Sequence, residues 1–490
     1  MVVLKTIVLL FAIQILSYIT CEKMPSVIII GAGPAGIAAA TRLFKNNITN
    51  IKVLEAENRI GGRIYSLKFG DAFVDLGAEW YHGGEDNPIY HVIKELDLIE
   101  VQDTIRTYYH SSGKDINKDL VAELRNIFFS IYYASNIKTD KDVSIGQYVK
   151  EKYLKAIDER YRNASEKLEF AKEFLDVLKK DVELFQGAFS WNEPSAESDY
   201  IETSPSILYH WKNRGYKAVL DVLLQKYPDP EKELPIEILL NKEVKQIFWN
   251  NEVSVKCTDG SEYKADHIIL TVPLGVLKDR YAQLFNPELP QEKQNAINEL
   301  GISAVQKIFF HFPKQWWPNN NFHSIDFFWT EEDRVRFLKE KKDKSWLLGF
   351  TGLYPTPYNP NVLQTWFCGE NVPKIELLPD EEIINGLMLM LNRFVGKYFE
   401  NITTPDSLLR FNWYEQSHFR GTYSYQTVKS RQRNISGQIA LSKPMQAENG
   451  KMALLFAGEA TNPTHYRTVH GAMETGFREA DRIINFIKNK

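Results

Sequence analysis

Apolar residues fall into two patterns along the chain. The first is a short unbroken run rich in β-branched residues, as in Val27-Ile28-Ile29-Ile30, Ile51-Lys52-Val53-Leu54, Ala265 to Val272 and Ala453 to Ala457. Runs that lack polar alternation predict strands covered on both faces, as in a parallel sheet. The second places apolar residues at three- and four-residue steps, which predicts helices over Ala35–Leu43, over Ala164–Lys180 and from Thr468 to Ile487. Further strands are expected at Phe73–Leu76, Leu239–Val244, Glu252–Cys257 and Gln306–Phe312. Glu193 to Ser206, rich in Pro, Ser and acids, reads as a loop whose acids are solvated, with a cation-binding rim as the alternative. Residues 316–369 are dense in Trp, Phe and Tyr, which fits a core or the wall of an apolar tunnel.

What joins the first strand to its helix carries chemistry. Gly31, Gly33 and Gly36 have the G-x-G-x-x-G spacing between a strand and a helix. The first glycine permits a tight turn, the second lets the backbone approach a pyrophosphate, and the third lets the helix pack close. Glu55 closes the next apolar run, where an acid can accept ribose hydroxyls. Gly61-Gly62-Arg63 follows, two glycines that allow close approach and a guanidinium suited to phosphate. Near the other end, Gly458-Glu459 terminates a strand, and Thr468-Val469 opens a helix whose free amides can meet a second part of the same ligand. These features predict a dinucleotide site and leave NAD, NADP and FAD open. Lys307 sits in an otherwise apolar strand, so it either snorkels to the surface or faces an apolar cavity.

Composition narrows the function classes. The 490 residues are 25% charged and 44% hydrophobic with a formal net charge of −4, ordinary globular usage without the basic face that nucleic acid requires. Residues 1–21 read as a signal peptide: Lys5 precedes an apolar core, Thr6 to Leu16, shorter than the roughly 20 residues of a membrane span. A soluble protein of the secretory pathway, secreted or lumenal, is expected, and the sequons at Asn47, Asn163, Asn401 and Asn434 agree. An uncleaved signal anchor is the alternative. Two cysteines remain outside that segment, Cys257 and Cys368, which form no disulfide framework. No Cys/His spacing suggests a metal.

The ordered motifs resemble the flavin-dependent amine oxidases, in particular their polyamine oxidase branch, over most of residues 25–487. The matching stretches are Gly31-Ala32-Gly33-Pro34-Ala35-Gly36, Glu55 with Gly61-Gly62-Arg63, Asp75 to Gly83, and Val272 to Leu277. They continue through Lys307, Arg420 to Tyr425, Phe456 to Thr461 and Val469-His470-Gly471-Ala472. The resemblance implies an α/β fold: a Rossmann-like FAD domain from 25–90, 207–285 and 447–487, with an inserted α+β substrate domain from 91–206 and 286–446. It implies that Gly33, Glu55, Arg63 and Glu459 hold FAD and that Val469 lies beside the flavin ring. Lys307 matches a lysine bridged by water to flavin N5. Tyr423 and Tyr466 match two aromatic walls flanking the substrate amine, His82 the substrate entrance, and Trp413 a structural or flavin-side tryptophan. No cysteine stands in the stretch that bonds flavin in monoamine oxidases, so noncovalent FAD is implied.

The implied reaction passes hydride from the amine α-carbon to flavin, giving an imine that water hydrolyses to an aldehyde and an amine. O2 then reoxidises the flavin and yields hydrogen peroxide. Spermine, spermidine or their acetyl derivatives are the expected substrates. An L-amino-acid or monoamine oxidase of the same fold, or a flavin-binding extracellular protein without turnover, are the alternatives. The sequence assigns no oligomeric state.

Overall fold

The computed structural model describes residues 24–101, 105–134, 142–204, 207–318, 323–433 and 436–489. The expected signal segment and Asn434 lie outside them. In chain order, the elements that position the site are β1 (Val27–Ile30), α1 (Pro34–Lys45), β2 (Ile51–Leu54), α2 (Ser165–Gln186) and β3 (Glu237–Leu239). They continue with β4 (His267–Leu270), β5 (Gln306–His311), β6 (Asn359–Phe367), β7 (Met452–Phe456) and α3 (Val469–Lys488).

The apolar runs assemble as their composition requires. β3, β2, β1, β4 and β7 lie side by side and parallel, with Met445–Gln446 antiparallel at the β7 edge. Val27 faces Ile51 on one side and His267 on the other. β1 and β4 are buried along their whole length, hence no polar alternation. α1 and α3 pack on one face so tightly that a Cβ at Gly476 would stand 2.1 Å from Ala35 O. The strands of this sheet come from the beginning, middle and end of the chain.

A second six-stranded sheet runs in the order Ser407–Arg410, β5, β6, Gly352–Thr356, Ile325–Phe328 and Tyr108–His110. Its aromatic core includes Phe310, Phe312, Phe327, Trp346, Phe350 and Phe367, so most of the aromatics of 316–369 serve packing. A separate cluster joins α2 to the helices Lys118–Ala134 and Ile145–Arg160.

Two expectations need correction, and one of the two alternatives for Lys307 falls. The strand expected over Leu239–Val244 is two strands: β3 ends at Leu239, Asn241 turns with φ 55°, and Val244–Phe248 enters a different, four-stranded sheet. The acids of the 193–206 loop are not simply solvated, because Arg431 bonds both Glu197 (2.7 Å) and Asp199. Lys307 does not snorkel; it is 2% exposed. Cys257 and Cys368 are free and buried. Asn47, Asn163 and Asn401 are exposed, and among the described residues no helix is long and apolar enough to cross a membrane.

Candidate functional site

The glycine loop divides its labour in space. At Gly31 (φ 104°) a Cβ would meet Thr271 Oγ1 at 2.3 Å, and at Gly36 it would meet Gly31 O at 1.9 Å. Both are glycine because protein fills the space a side chain needs. Gly33 differs: the nearest atom to a Cβ there is Gly62 Cα at 3.9 Å. The two loops face each other with room left over, and the Gly61 amide donates to Ala32 O (2.9 Å) to hold them so. Gly33 is the N-cap of α1, and no side chain caps the helix's first amides, which leaves them for an anion. That open cradle fits a dinucleotide pyrophosphate.

Glu55 sits beneath the loop, buried, accepting from the amides of Ala32 (2.6 Å) and Glu57 (2.9 Å). Burial pushes its carboxyl up, against the pull of those two amides and Arg59. Arg63 Nη1 donates to Thr422 O (2.6 Å) and Glu459 Oε1 (3.0 Å). Glu459 is a hub: its Oε2 also accepts from Ser424 Oγ (2.6 Å) and the Arg467 amide (2.7 Å). Gly458 precedes it with φ 111°, its amide donating to Thr475 Oγ1 (2.8 Å). A pocket beside Arg63 and Glu459 lies at the carboxyl ends of β4 and β7, where open α/β sheets bind ligands. Thr468 caps α3, its Oγ1 accepting from the Gly471 amide (3.0 Å), so Val469 is the first helical residue.

Lys307 projects from the centre of β5 into a polar knot. Its Nζ donates to Asp75 O (2.6 Å), Gly77 O (3.0 Å) and Glu79 Oε2 (2.7 Å), and lies 4.4 Å from the Trp366 ring centroid. An ammonium has three protons, and all three have acceptors here. Burial alone would raise the Glu79 carboxyl, but Lys307 and Gln364 hold it below the usual range. Burial pushes Asp75 up to about 7. Trp413 is buried nearby and donates to Leu76 O (3.0 Å), a structural bond.

The expected substrate residues meet the C-terminal turn of α2 and the loop that follows it. Tyr423 donates to Leu184 O (2.5 Å), its ring packed where a Cβ at Gly187 would come within 2.3 Å. Tyr466 pairs through its hydroxyl with Ser198 Oγ (2.5 Å) and meets the Tyr200 ring edge-on at 5.5 Å. His82 Nδ1 lies 3.4 Å from Glu202 Oε1 at the partly exposed margin. Between them stands a residue that sequence reasoning missed. Arg467 lies 3.9 Å over Tyr200, 5.6 Å from the Tyr466 ring, and donates to Gln186 Oε1 (2.9 Å). Its only sequence signal was a cation set between Tyr466 and the cap Thr468.

A family model for flavin-containing amine oxidoreductases matches residues 34–484. The chain belongs to that family. The chain is similar to the human peroxisomal N(1)-acetyl-spermine/spermidine oxidase, 30% identical with 94% of this chain and 95% of that one covered. The Zea mays polyamine oxidase 1 is 26% identical over 95% and 91%. A solved putrescine oxidase bound to putrescine shares the fold, with TM-score 0.65 and 17% identity over 94% of this chain and 99% of that one. For a flavin-containing amine oxidoreductase the cofactor is FAD, and the Gly33–Gly62 cradle, Glu55, Arg63, Glu459 and the α3 N-terminus are the groups that would hold it.

The α3 N-terminus carries two histidines in unlike states. His465 bonds Glu474 Oε2 (2.8 Å), which raises its pKa. His470, 2% exposed and 5.2 Å from the His465 ring, is pushed down to about 3 by burial and by His465. Because the folded pKa of His470 lies below its ordinary 6.5, its share of stability is present above pH 6.5 and lost as pH falls towards 3. At pH 5 that share is short by about 2 kcal/mol. The drop in Tm between pH 7 and pH 5, at fixed FAD, is therefore expected to shrink in His470→Gln; an unchanged drop would contradict the neutral imidazole.

Proposed function

We propose that this flavin-containing amine oxidase oxidises aliphatic polyamines. One observation carries the reading: the Glu459 carboxylate binds both Arg63, beside the glycine cradle, and the backbone of the Tyr466–Arg467 loop. That link supports a cofactor site and expected substrate walls that adjoin one another. FAD, when bound, supplies the acceptor for two electrons from the amine and their passage to O2.

The chain's own residues supply orientation and shelter. Burial raises the pKa of both Tyr423 and Tyr466, so they stay neutral phenols whose rings can face an amine. Aromatic faces attract a partly cationic nitrogen while tolerating the methylenes beside it. Packing of Tyr423 against Gly187 and of Tyr466 against Tyr200 fixes those faces, which favours a productive pose. The polyamine class is supported by what the human, maize and putrescine-bound relatives are named for.

Anaerobic mixing of the yellow protein with spermine, N-acetylspermine, tyramine and leucine tests this. Bleaching by spermine or N-acetylspermine, with peroxide released on admitting air, is expected. Bleaching by leucine alone would overturn the polyamine reading, and a flavin that no amine bleaches would overturn turnover itself.

A further inference from the structure

Arg467 is a cation beside a residue expected to flank a cationic substrate, Tyr466. The arginine is half-buried, and the nearest partners of its guanidinium are neutral: Gln186 Oε1, the Tyr200 ring and, further off, the Tyr466 ring. The C-terminal turn of α2 offers partial negative charge. Among the described residues no carboxylate lies within ion-pair distance of this side chain; the charge of Glu202 reaches it without contact, and that carboxylate sits 3.4 Å from His82 Nδ1. A guanidinium so placed is expected to have an anionic partner, and the protein supplies none in contact.

The position is also held rather than incidental. The Arg467 backbone is in the left-handed region (φ 61°), and its amide is bound by Glu459. A strained conformation anchored to a buried acid fixes where the side chain starts. Its acceptor Gln186 is two residues beyond Leu184, the acceptor of Tyr423. The guanidinium thus meets the same turn of α2 as one expected chamber wall and stacks beside the other.

We propose that Arg467 recognises a carboxylate at the non-reacting end of the amine, so that the preferred substrate class is a carboxyalkylated polyamine. This rests on the amine-oxidase reading above. Ligands with a neutral end should be taken less well, and those ending in a second ammonium worst, since like charges at chamber distances repel.

Three amines of matched length isolate the end group: 1,4-diaminobutane carrying N-(2-carboxyethyl), N-propyl or N-(3-aminopropyl). The wild-type order of kcat/KM is expected to be carboxylate above propyl above ammonium. In Arg467→Gln the carboxylate-to-propyl ratio should fall at least tenfold, mainly through KM, and the ammonium-to-propyl ratio should rise; Arg467→Lys should keep the wild-type order. Because Glu459 binds the Arg467 backbone, FAD content should hold in both variants. Propionate binding, followed by the flavin absorption band, reads the same preference without turnover and should weaken at least tenfold in Arg467→Gln. Equal propionate affinity, or unchanged ratios, in wild type and Arg467→Gln would overturn the proposal. With none of the three amines oxidised, the carboxyalkylated substrate class and the polyamine reading would both fall, whereas oxidation of the propyl and aminopropyl amines with unchanged ratios would overturn the substrate class alone.

Discussion

Replacing Lys307 by methionine is expected to destabilise the folded protein by about 3–5 kcal/mol, because it strands a buried carboxylate. Glu79 is 8% exposed and loses its ion-pair partner, and the carbonyls of Asp75 and Gly77 lose a shared donor. Without that cation the Glu79 carboxyl rises above its ordinary range, so the variant's stability is lost as pH rises and partly regained as pH falls. Denaturant unfolding of the FAD-loaded protein at pH 5 and pH 8 measures both effects. Glu79→Gln added to Lys307→Met removes the stranded charge and should recover most of the loss.

That double variant also separates structure from chemistry. The family resemblance gives Lys307 a role through water at the flavin, whereas its three protons already have protein acceptors. If slow flavin reduction or reoxidation persists in stopped flow once stability is restored, Lys307 acts on the reaction. If both half-reactions recover together with stability, its duty is to fix the Asp75–Glu79 strand end against β5.

How much of this was legible depends on how local each cause is. β1, β4 and β7 could be read because burial on both faces leaves an unbroken apolar run in the sequence. The Gly31–Gly36 turn could be read because its glycine spacing is local, and Gly36 clears the nearby Gly31 O, although the atom that fills the space at Gly31 comes from distant Thr271. Leu239–Val244 misled because its apolar ends belong to two sheets, and only the backbone at Asn241 shows the break. Lys307 was ambiguous for a different reason: its acceptors lie more than 220 residues away, where β5 passes the Asp75–Glu79 segment. Arg467 was missed because nothing beside it explains it. Gln186, Tyr200 and Glu202 reach it from α2 and the following loop, a juxtaposition that no spacing rule encodes.

The two outer glycines and the middle one of the loop should respond in opposite ways to the same methyl group. In Gly36→Ala the new Cβ meets a backbone oxygen at 1.9 Å, and backbone cannot rotate aside as a side chain can. α1 must lift from β1, at a cost of about 3 kcal/mol or more even in the apoprotein. In Gly33→Ala the methyl group points into the space before Gly62, with nothing closer than 3.9 Å. Apoprotein stability should change by less than about 1 kcal/mol, since the helix start tolerates alanine there at small cost. FAD affinity should instead fall at least tenfold, because the methyl group takes room that the pyrophosphate needs. Unfolding of the apoproteins and FAD titration by flavin fluorescence, run on both variants, give the two numbers. A Gly33→Ala protein that binds FAD as the wild type does would show that the cradle between Gly33 and Gly62 is not where the cofactor's phosphates lie.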